Sequence, residues 1–191
     1  MKVVLCGLEP GLLNAWAEAV GSYEDPNIFE IAAGDITALE ARAVVSPANS
    51  FGFMDGGVDL AYSRALGWHV QDRLQKKIQE LPFKELLVGQ ALSVSTDDER
   101  IPWLISAPTM RIPCVLSDPW PVFLASRAAT AEAIRLEVSR VAFPGMGTGT
   151  GGVPYKTSAC LMVRGIGEAI QGREFPKSLR SALARAEVLR Q

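Results

Sequence analysis

Short apolar runs alternate with helical patterns along this 191-residue chain, and this alternation limits the possible folds more than any other feature. The apolar runs predict strands over residues 3–6, 27–33, 43–46, 86–95, 103–107 and 139–143. Helical periodicity predicts helices over residues 11–20, 59–66, 70–81, 121–138 and 156–170. Strands that alternate with helices form a parallel or mixed sheet that is covered on both faces. We therefore expect an α/β fold, a three-layer α/β/α sandwich around a mixed central sheet.

The length of the chain fits one domain, with a change of pattern near its end. After a break at residues 172–176, one helical face carries Leu179, Leu183, Ala186 and Leu189. We expect residues 1–171 to form the domain and residues 172–191 to form a helical extension that docks on it. A contact between two copies of the chain is the alternative for this face.

Composition excludes several classes of protein. Lys and Arg total 19 against 21 Asp and Glu, a net charge of −2, so no bulk basic surface for nucleic acid is expected. A single histidine and three scattered cysteines argue against a metal centre and a disulfide scaffold. The cysteines fit buried thiols in a reducing cytoplasm. Without an apolar run of about 18 residues, no membrane span is expected.

The first segment with chemical meaning follows the third predicted strand and opens a helix, over residues 46–59. Gly56 and Gly57 leave backbone N–H groups accessible at the helix N-terminus, where the helix dipole favours an anion. Asn49 carries donors and an acceptor that suit a sugar hydroxyl, although it also fits a turn after Pro47. Asp59 is either a functional carboxylate or a charge at the start of the helix.

The second segment lies between a strand and a helix, over residues 143–154, and holds five glycines within residues 145–152. Such a cluster predicts close approach to a ligand, most simply a phosphate bound by successive N–H groups; a merely flexible loop is the alternative. Gly147, Gly149 and Gly152 satisfy GxGxxG, but the motif is late and the next acidic residue, Glu168, lies inside the following helix. A dinucleotide fold is therefore weakly supported, and no Gly-Lys-Ser/Thr follows for a P-loop.

A third signal is the sequence Gly-Asp-Ile-Thr at residues 34–37, at the end of the second predicted strand. An Asp at this position can accept a hydrogen bond from an exocyclic amine such as that of adenine. Gly-Asp is also ordinary turn chemistry. Together the three segments predict a ligand with a diphosphate flanked by two sugars.

These segments resemble the macrodomain family, which binds ADP-ribose, and the resemblance extends from about residue 27 to 171. It implies that Asp35 and Ile36 contact adenine and that Asn49 holds the distal ribose. It also implies that residues of both glycine segments surround the diphosphate, namely Gly56, Gly57, Val58, Gly147, Thr148, Gly149, Thr150, Gly151 and Gly152.

Within that family the chain is similar to the MacroD-type ADP-ribosyl hydrolases, in which an Asn and a later Asp act on the distal ribose. Asn49 and Asp59 match this pair in spacing and in the Gly-Gly-Val-Asp context. Two positions depart from the pattern. Asp55 stands where those hydrolases have glycine, and Gly151 stands where they place an aromatic over the distal ribose. We expect a more open distal pocket, or a cover supplied by Phe51, Phe53 or Met54.

The resemblance implies hydrolysis at the anomeric carbon of an ADP-ribosyl group, with ADP-ribose or an ADP-ribosylated macromolecule as partner. Asp59 acts as general base or positions the water, Asn49 fixes the ribose, and no metal or other cofactor is expected. A non-catalytic ADP-ribose reader and an ADP-ribose 1″-phosphate phosphatase are the alternatives. The leaving group and the oligomeric state stay open.

Overall fold

A computed structural model describes residues 1–172 and 175–188. In this part of the chain the strands are Lys2–Gly7 (β1), Phe29–Ala33 (β2), Ala43–Ser46 (β3), Leu92–Ser95 (β4), Trp103–Ser106 (β5) and Arg140–Phe143 (β6). The α-helices are Pro10–Gly21 (α1), Gly57–Leu66 (α2), His69–Glu80 (α3), Trp120–Arg135 (α4), Tyr155–Gln171 (α5) and Leu179–Val188 (α6).

The strands form one mixed sheet in the order β2-β1-β6-β3-β5-β4. All paired strands are parallel except β4 and β5, which pair antiparallel on either side of the polar turn at residues 96–100. Because antiparallel neighbours can be joined by a short turn, this hairpin needs no helix between its strands. The predicted α/β sandwich with a mixed sheet is confirmed.

Alternation along the central strands divides the apolar core into two layers. Val3 and Leu5 of β1 pack on one side against α1, α4 and α5. Val4 and Cys6 face the other side, where they pack with the apolar faces of α2 and α3. Successive strand residues point to opposite faces, so a β-strand buried on both sides is apolar throughout. This is why the strands appeared in the sequence as continuous apolar runs.

Two predicted strands are too long. Of the strand expected at residues 86–95, only Leu92–Ser95 forms β4. Leu86 lies outside the strand and is buried because its side chain packs in the core layer of α2 and α3, while its N–H donates to the Ser50 carbonyl. In the strand expected at residues 27–33, Pro26–Ile28 instead form a 3₁₀ turn, whose start is capped by the Asp25 side chain.

The C-terminal extension contains the expected helix, α6. Leu179 and Leu183, which we expected to dock on the domain, are 76% and 55% exposed, so this part of the face does not pack against the domain. Ala186 and Leu189 lie outside the residues whose side chains the structure describes. The division into a domain over residues 1–171 and an extension over residues 172–191 stays a prediction.

Of the three cysteines, only Cys6 is buried as expected; Cys160 is half-buried and Cys114 is exposed. The expectation of buried thiols was wrong for Cys114, because the segment that carries it is an exposed loop. Over the described residues, no helix is both long enough and apolar enough to cross a membrane.

Candidate functional site

A cleft of about 590 Å³ opens at the carboxyl ends of the parallel strands. Its walls come from the segments that follow the five parallel strands β1, β2, β3, β5 and β6, which end at the same edge of the sheet. In such sheets this edge, where loops lead into helices, is the usual place for a ligand. Both glycine segments and the Gly34–Ile36 segment line the cleft, so the structure brings together the three signals of the sequence.

The first glycine segment points the N-terminus of α2 at the cleft. Gly56 is the N-cap and provides no side-chain hydrogen bond to the helix. The first N–H groups of a helix have no partner within the helix, so those of Gly57, Val58 and Asp59 need acceptors from elsewhere. All four residues line the cleft. An anion there would accept from these groups and interact favourably with the helix dipole.

The second glycine segment is folded into a tight loop between β6 and α5. Val153 N–H donates to the Gly147 carbonyl at 3.0 Å, and Gly152 N–H donates to the Gly149 carbonyl at 3.0 Å. These bonds hold residues 147–151 against the cleft, where Gly147, Thr148, Gly149, Thr150 and Gly151 all line it.

Gly152, which we expected to bind the ligand, is not part of the cleft wall. Its N–H is used to close the loop on Gly149, so its role in the structure is to turn the chain. Ligand binding by Gly152 stays a prediction.

Gly151 has no room for a side chain. A Cβ atom at this position would lie 2.5 Å from the Gly147 carbonyl oxygen, well inside van der Waals contact. The Gly151 carbonyl also accepts from Leu116 N–H at 2.9 Å, which fixes the residue from its other side. The absence of an aromatic side chain here thus follows from the way this loop is closed.

Packing does not account for two other glycines of the cleft. Gly56 has an extended backbone, and neither Gly56 nor Gly149 has a positive φ. A Cβ atom at either position would meet nothing within 4 Å. Another residue could therefore occupy both positions without strain in the protein itself. Glycine at such positions lets a ligand approach the backbone closely.

Asn49 is held inside the first segment by its own hydrogen bonds. Its Oδ1 accepts from the N–H groups of Phe51 at 3.1 Å and Phe53 at 3.3 Å, while its Nδ2 donates to the Phe53 carbonyl at 2.9 Å. The side chain thus shapes the loop at residues 49–53. One N–H of the amide remains for a ligand, because an amide nitrogen carries two.

Asp59 lies in the first turn of α2 and is almost entirely buried, although it still reaches the cleft wall. Burial raises the pKa of its carboxyl group to about 7, an effect that the Ser46 hydroxyl partly offsets. Its Oδ1 atom has no hydrogen-bond partner among the described residues. A carboxyl group whose pKa lies near neutrality can accept a proton in one step of a reaction and return it in another.

At the other end of the cleft, Asp35 and Ile36 follow β2 as predicted. The Asp35 Oδ1 atom accepts from both the N–H and the hydroxyl of Thr37, at 2.8 Å each. These bonds cap the short 3₁₀ turn at Ile36–Ala38 and fix the direction of the carboxylate.

One wall of the cleft had no signal in the sequence. Residues 109–113 run alongside the first segment, where Met110 forms a β-bridge with Asn49 and the Thr109 hydroxyl donates to the Pro47 carbonyl. Thr109, Met110 and Pro113 line the cleft. These residues contact the first glycine segment in space but are about 60 residues away from it along the chain. For this reason no local sequence pattern indicated them.

Of the three side chains considered as a cover, only Phe53 lies on the cleft. Met54 is fully buried in the core, and Phe51 lies beneath the Arg111 guanidinium, 5.3 Å from its ring centre. Phe53 is 53% exposed, so its ring is available at the rim.

The charged side chains of the cleft wall are all acidic: Asp35, Asp55 and Asp59. Among the described residues, no group of three His, Cys, Asp or Glu side chains could hold a metal ion. A diphosphate in this cleft would therefore be bound by backbone N–H groups and helix dipoles, with no lysine or arginine from the cleft wall.

Comparison with known proteins agrees with this architecture. The model of the Macro domain family matches residues 45–162. An uncharacterized protein of Aquifex aeolicus is 36% identical over 138 residues, which cover 72% of this chain and 80% of that protein. The chain therefore belongs to the Macro domain family, as the sequence motifs indicated.

Solved macrodomain structures share the fold. The Oceanobacillus iheyensis macrodomain with ADP has a TM-score of 0.63 and 23% identity, covering 82% of this chain and 87% of that one. The macrodomain of Mycobacterium tuberculosis DarG has a TM-score of 0.62 and 20% identity, covering 71% and 88%. At these identities the likeness concerns the fold alone, and membership of the MacroD-type hydrolases stays a prediction.

Proposed function

We propose that this chain binds ADP-ribose in the cleft and hydrolyses an ADP-ribosyl linkage at the distal ribose. The observation that carries the proposal is the pairing of Asp59, a buried carboxyl group on the cleft wall, with two amide-rich glycine segments that face the same space. The segments suit a diphosphate, and the carboxyl group suits the activation of water. The Macro domain family and the solved macrodomain with ADP support the choice of ligand.

In the proposed complex, adenine lies at Asp35 and Ile36, and the diphosphate lies between the N-terminus of α2 and the loop at residues 147–151. The distal ribose then lies beside Asn49 and Asp59. The free N–H of the Asn49 amide donates to a ribose hydroxyl. This order follows the sheet, in which β6 lies between β2 and β3. Asp35 follows β2, the loop at residues 147–151 follows β6, and Asn49 follows β3.

The reaction adds water across the bond between the anomeric carbon and the leaving group. The carboxylate of Asp59 accepts a proton from the attacking water while the bond between the anomeric carbon and the leaving group breaks. Asp59 then returns this proton to the leaving group, which regenerates the carboxylate. Positive charge that develops on the sugar is stabilised by the nearby phosphate. The products are ADP-ribose and the free acceptor, and no cofactor takes part.

A non-catalytic reader of ADP-ribose is the second candidate. The observation that favours it is the absence of a side chain at Gly151, so that this loop places no aromatic ring over the distal ribose. A reader would use the same N–H groups and would not depend on Asp59. The two functions therefore differ in what happens when this carboxyl group is removed.

Incubation with ADP-ribosylated protein, ADP-ribosylated DNA and O-acetyl-ADP-ribose tests the proposal, with released ADP-ribose as the readout. We expect release from at least one substrate, and a fall of ~10²–10⁴-fold in Asp59→Asn with ADP-ribose affinity maintained. Asp55→Asn is the matched control, because it removes another carboxylate from the same wall. Tight ADP-ribose binding without release of ADP-ribose from any substrate would contradict hydrolysis and support the non-catalytic reader. Turnover in Asp59→Asn equal to that of the wild type would exclude Asp59 as the general base.

A further inference from the structure

Two buried serine hydroxyls lie behind Asp59, at the ends of neighbouring strands. Ser46 ends β3 and Ser106 ends β5, and the two residues are direct partners in the parallel register. Both side chains are fully buried. Neither belongs to the cleft wall, although Ser46 is the first residue of the first glycine segment.

The pleat of the sheet places both hydroxyls on the side of α2. Val44 and Leu104 pack in the core layer beneath α2 and α3. Residues two positions further along a strand point to the same face, so Ser46 and Ser106 face this layer as well. Tyr62, one turn after Asp59, donates its hydroxyl to the Val45 carbonyl and holds α2 over the end of β3.

Three polar atoms in this region lack partners. Asp59 Oδ1, Ser46 Oγ and Ser106 Oγ are all buried without a hydrogen bond among the described residues. The Ser46 hydroxyl is close enough to lower the pKa of Asp59, though it is not aligned in a hydrogen bond with it. Unpaired buried polar groups are costly, and a hydroxyl can rotate toward an acceptor or share a buried water with it.

We infer that Ser46, supported by Ser106, is the positioning residue that keeps the Asp59 carboxylate ionised and directed at the cleft. The Ser46 hydroxyl donates to Asp59 Oδ1, and the Ser106 hydroxyl donates to Ser46 Oγ, directly or through one water. The inference rests on the proposed function, in which Asp59 must be ionised to accept a proton.

The other titratable groups nearby do not supply this effect. The Tyr62 hydroxyl is committed to Val45, the Cys6 thiol lies against the Gly34 carbonyl, and Asp35 is bound to Thr37. Asp35 and Asp55 add only negative charge to the cleft wall, which contributes no cationic side chain. Burial opposes ionisation of Asp59, and Ser46 is the group that favours it.

The test is a ¹³C NMR titration of the Asp59 carboxyl group in the full chain, which needs no turnover. In Ser46→Ala we expect the pKa of Asp59 to rise by about one unit, because a hydrogen bond to the ionised form is lost. Ser106→Ala should produce a smaller rise, and Ser46→Thr, which retains the hydroxyl, should restore the original titration. Ser126→Ala is the matched control, since Ser126 Oγ is also buried without a partner but belongs to α4, outside the cleft wall.

In Ser46→Ala the acid limb of the pH–rate profile should shift to higher pH by the same amount as the NMR titration of Asp59. ADP-ribose affinity should stay within about twofold of the wild type. An unchanged Asp59 titration in both Ser46→Ala and Ser106→Ala would overturn the inference. A shifted titration in a protein that releases no ADP-ribose from any substrate would uphold the effect of Ser46 and contradict the proposed hydrolysis instead.

Discussion

At the scale of single residues, Asp59 makes stability depend on pH in an unusual direction. Burial raises the pKa of this carboxyl group to about 7 from its ordinary value of 3.8. Between these values the folded chain retains the proton more strongly than the unfolded chain does. The contribution of Asp59 to stability is therefore complete at pH 4 and below and is lost as pH rises toward 7.

Replacing Asp59 with asparagine removes this dependence. We expect Asp59→Asn to gain stability over the wild type as pH rises from 4 to 7, by up to a few kcal/mol. Urea unfolding of both proteins across this range measures the difference. A constant difference between pH 4 and pH 7 would mean that the carboxyl group titrates normally in the folded protein.

Substitution of individual glycines in the cleft should distinguish those needed for ligand binding from those needed for stability. Gly56→Ala and Gly149→Ala introduce a methyl group into open space, so stability should change little while ADP-ribose affinity falls by tenfold or more. Gly151→Ala forces a Cβ against the Gly147 carbonyl and should lower the thermal midpoint. Calorimetric titration of the three variants measures the ADP-ribose affinity, and thermal unfolding measures their stability. Unchanged affinity in Gly56→Ala and Gly149→Ala would mean that the ligand does not approach these amides.

At the scale of elements, Asn49 connects the site to the loop that carries it. Its side chain makes three hydrogen bonds within residues 49–53, and Asn49→Ala leaves two N–H groups and one carbonyl without these partners. We expect a loss of about 1–3 kcal/mol in the free energy of unfolding, together with weaker ADP-ribose binding.

Gln90→Ala is the control for Asn49→Ala, because it removes one acceptor from an exposed turn and should cost less than about 0.5 kcal/mol. Urea unfolding gives both values. If Asn49→Ala were as stable as the wild type, the side chain would not be shaping the loop, and any loss of binding would be a direct effect on the ligand.

The elements that bear the site could be predicted because their signals are local. Folding alone does not require a cluster of glycines such as Gly56 and Gly57 or those of residues 147–151. The strand that precedes each segment is mostly apolar. The remaining parts depend on contacts between distant residues. Leu86 looked like a strand residue because it is apolar, yet it packs in the core from a segment without regular secondary structure, whose Leu86 N–H donates to the Ser50 carbonyl.

Other features of the site had no signal because tertiary pairing creates them. Met110 reaches the cleft through its bridge with Asn49. Ser46 and Ser106 become neighbours only because β3 and β5 pair in this register. Composition also does not distinguish a glycine that closes a loop, as Gly152 does through Gly149, from one that faces a ligand.

At the scale of the whole molecule, the extension after α5 contributes little to the described core. Phe175, Leu179 and Leu183 are exposed, whereas α5 itself is packed against α1 and α4. We expect a chain that ends at Gly172 to keep its thermal midpoint within about 2 °C and its ADP-ribose affinity unchanged.

Ile166→Ala in the full chain is the contrasting variant. Truncation of this fully buried side chain of α5 should lower the free energy of unfolding by about 2–5 kcal/mol. Thermal unfolding of the shortened chain gives the answer directly. A large fall in its thermal midpoint would mean that the extension stabilises the domain, as expected for a docked helix.

Binding of ADP-ribose by backbone amides is the central claim, because the adenine position, the catalytic geometry and the role of Ser46 in turnover all presuppose it. Isothermal titration of the full chain with ADP-ribose tests it most directly. The account predicts saturable heat that fits one site per chain. No heat of binding, with a folded protein and a range of ligand concentrations up to the millimolar, would contradict it.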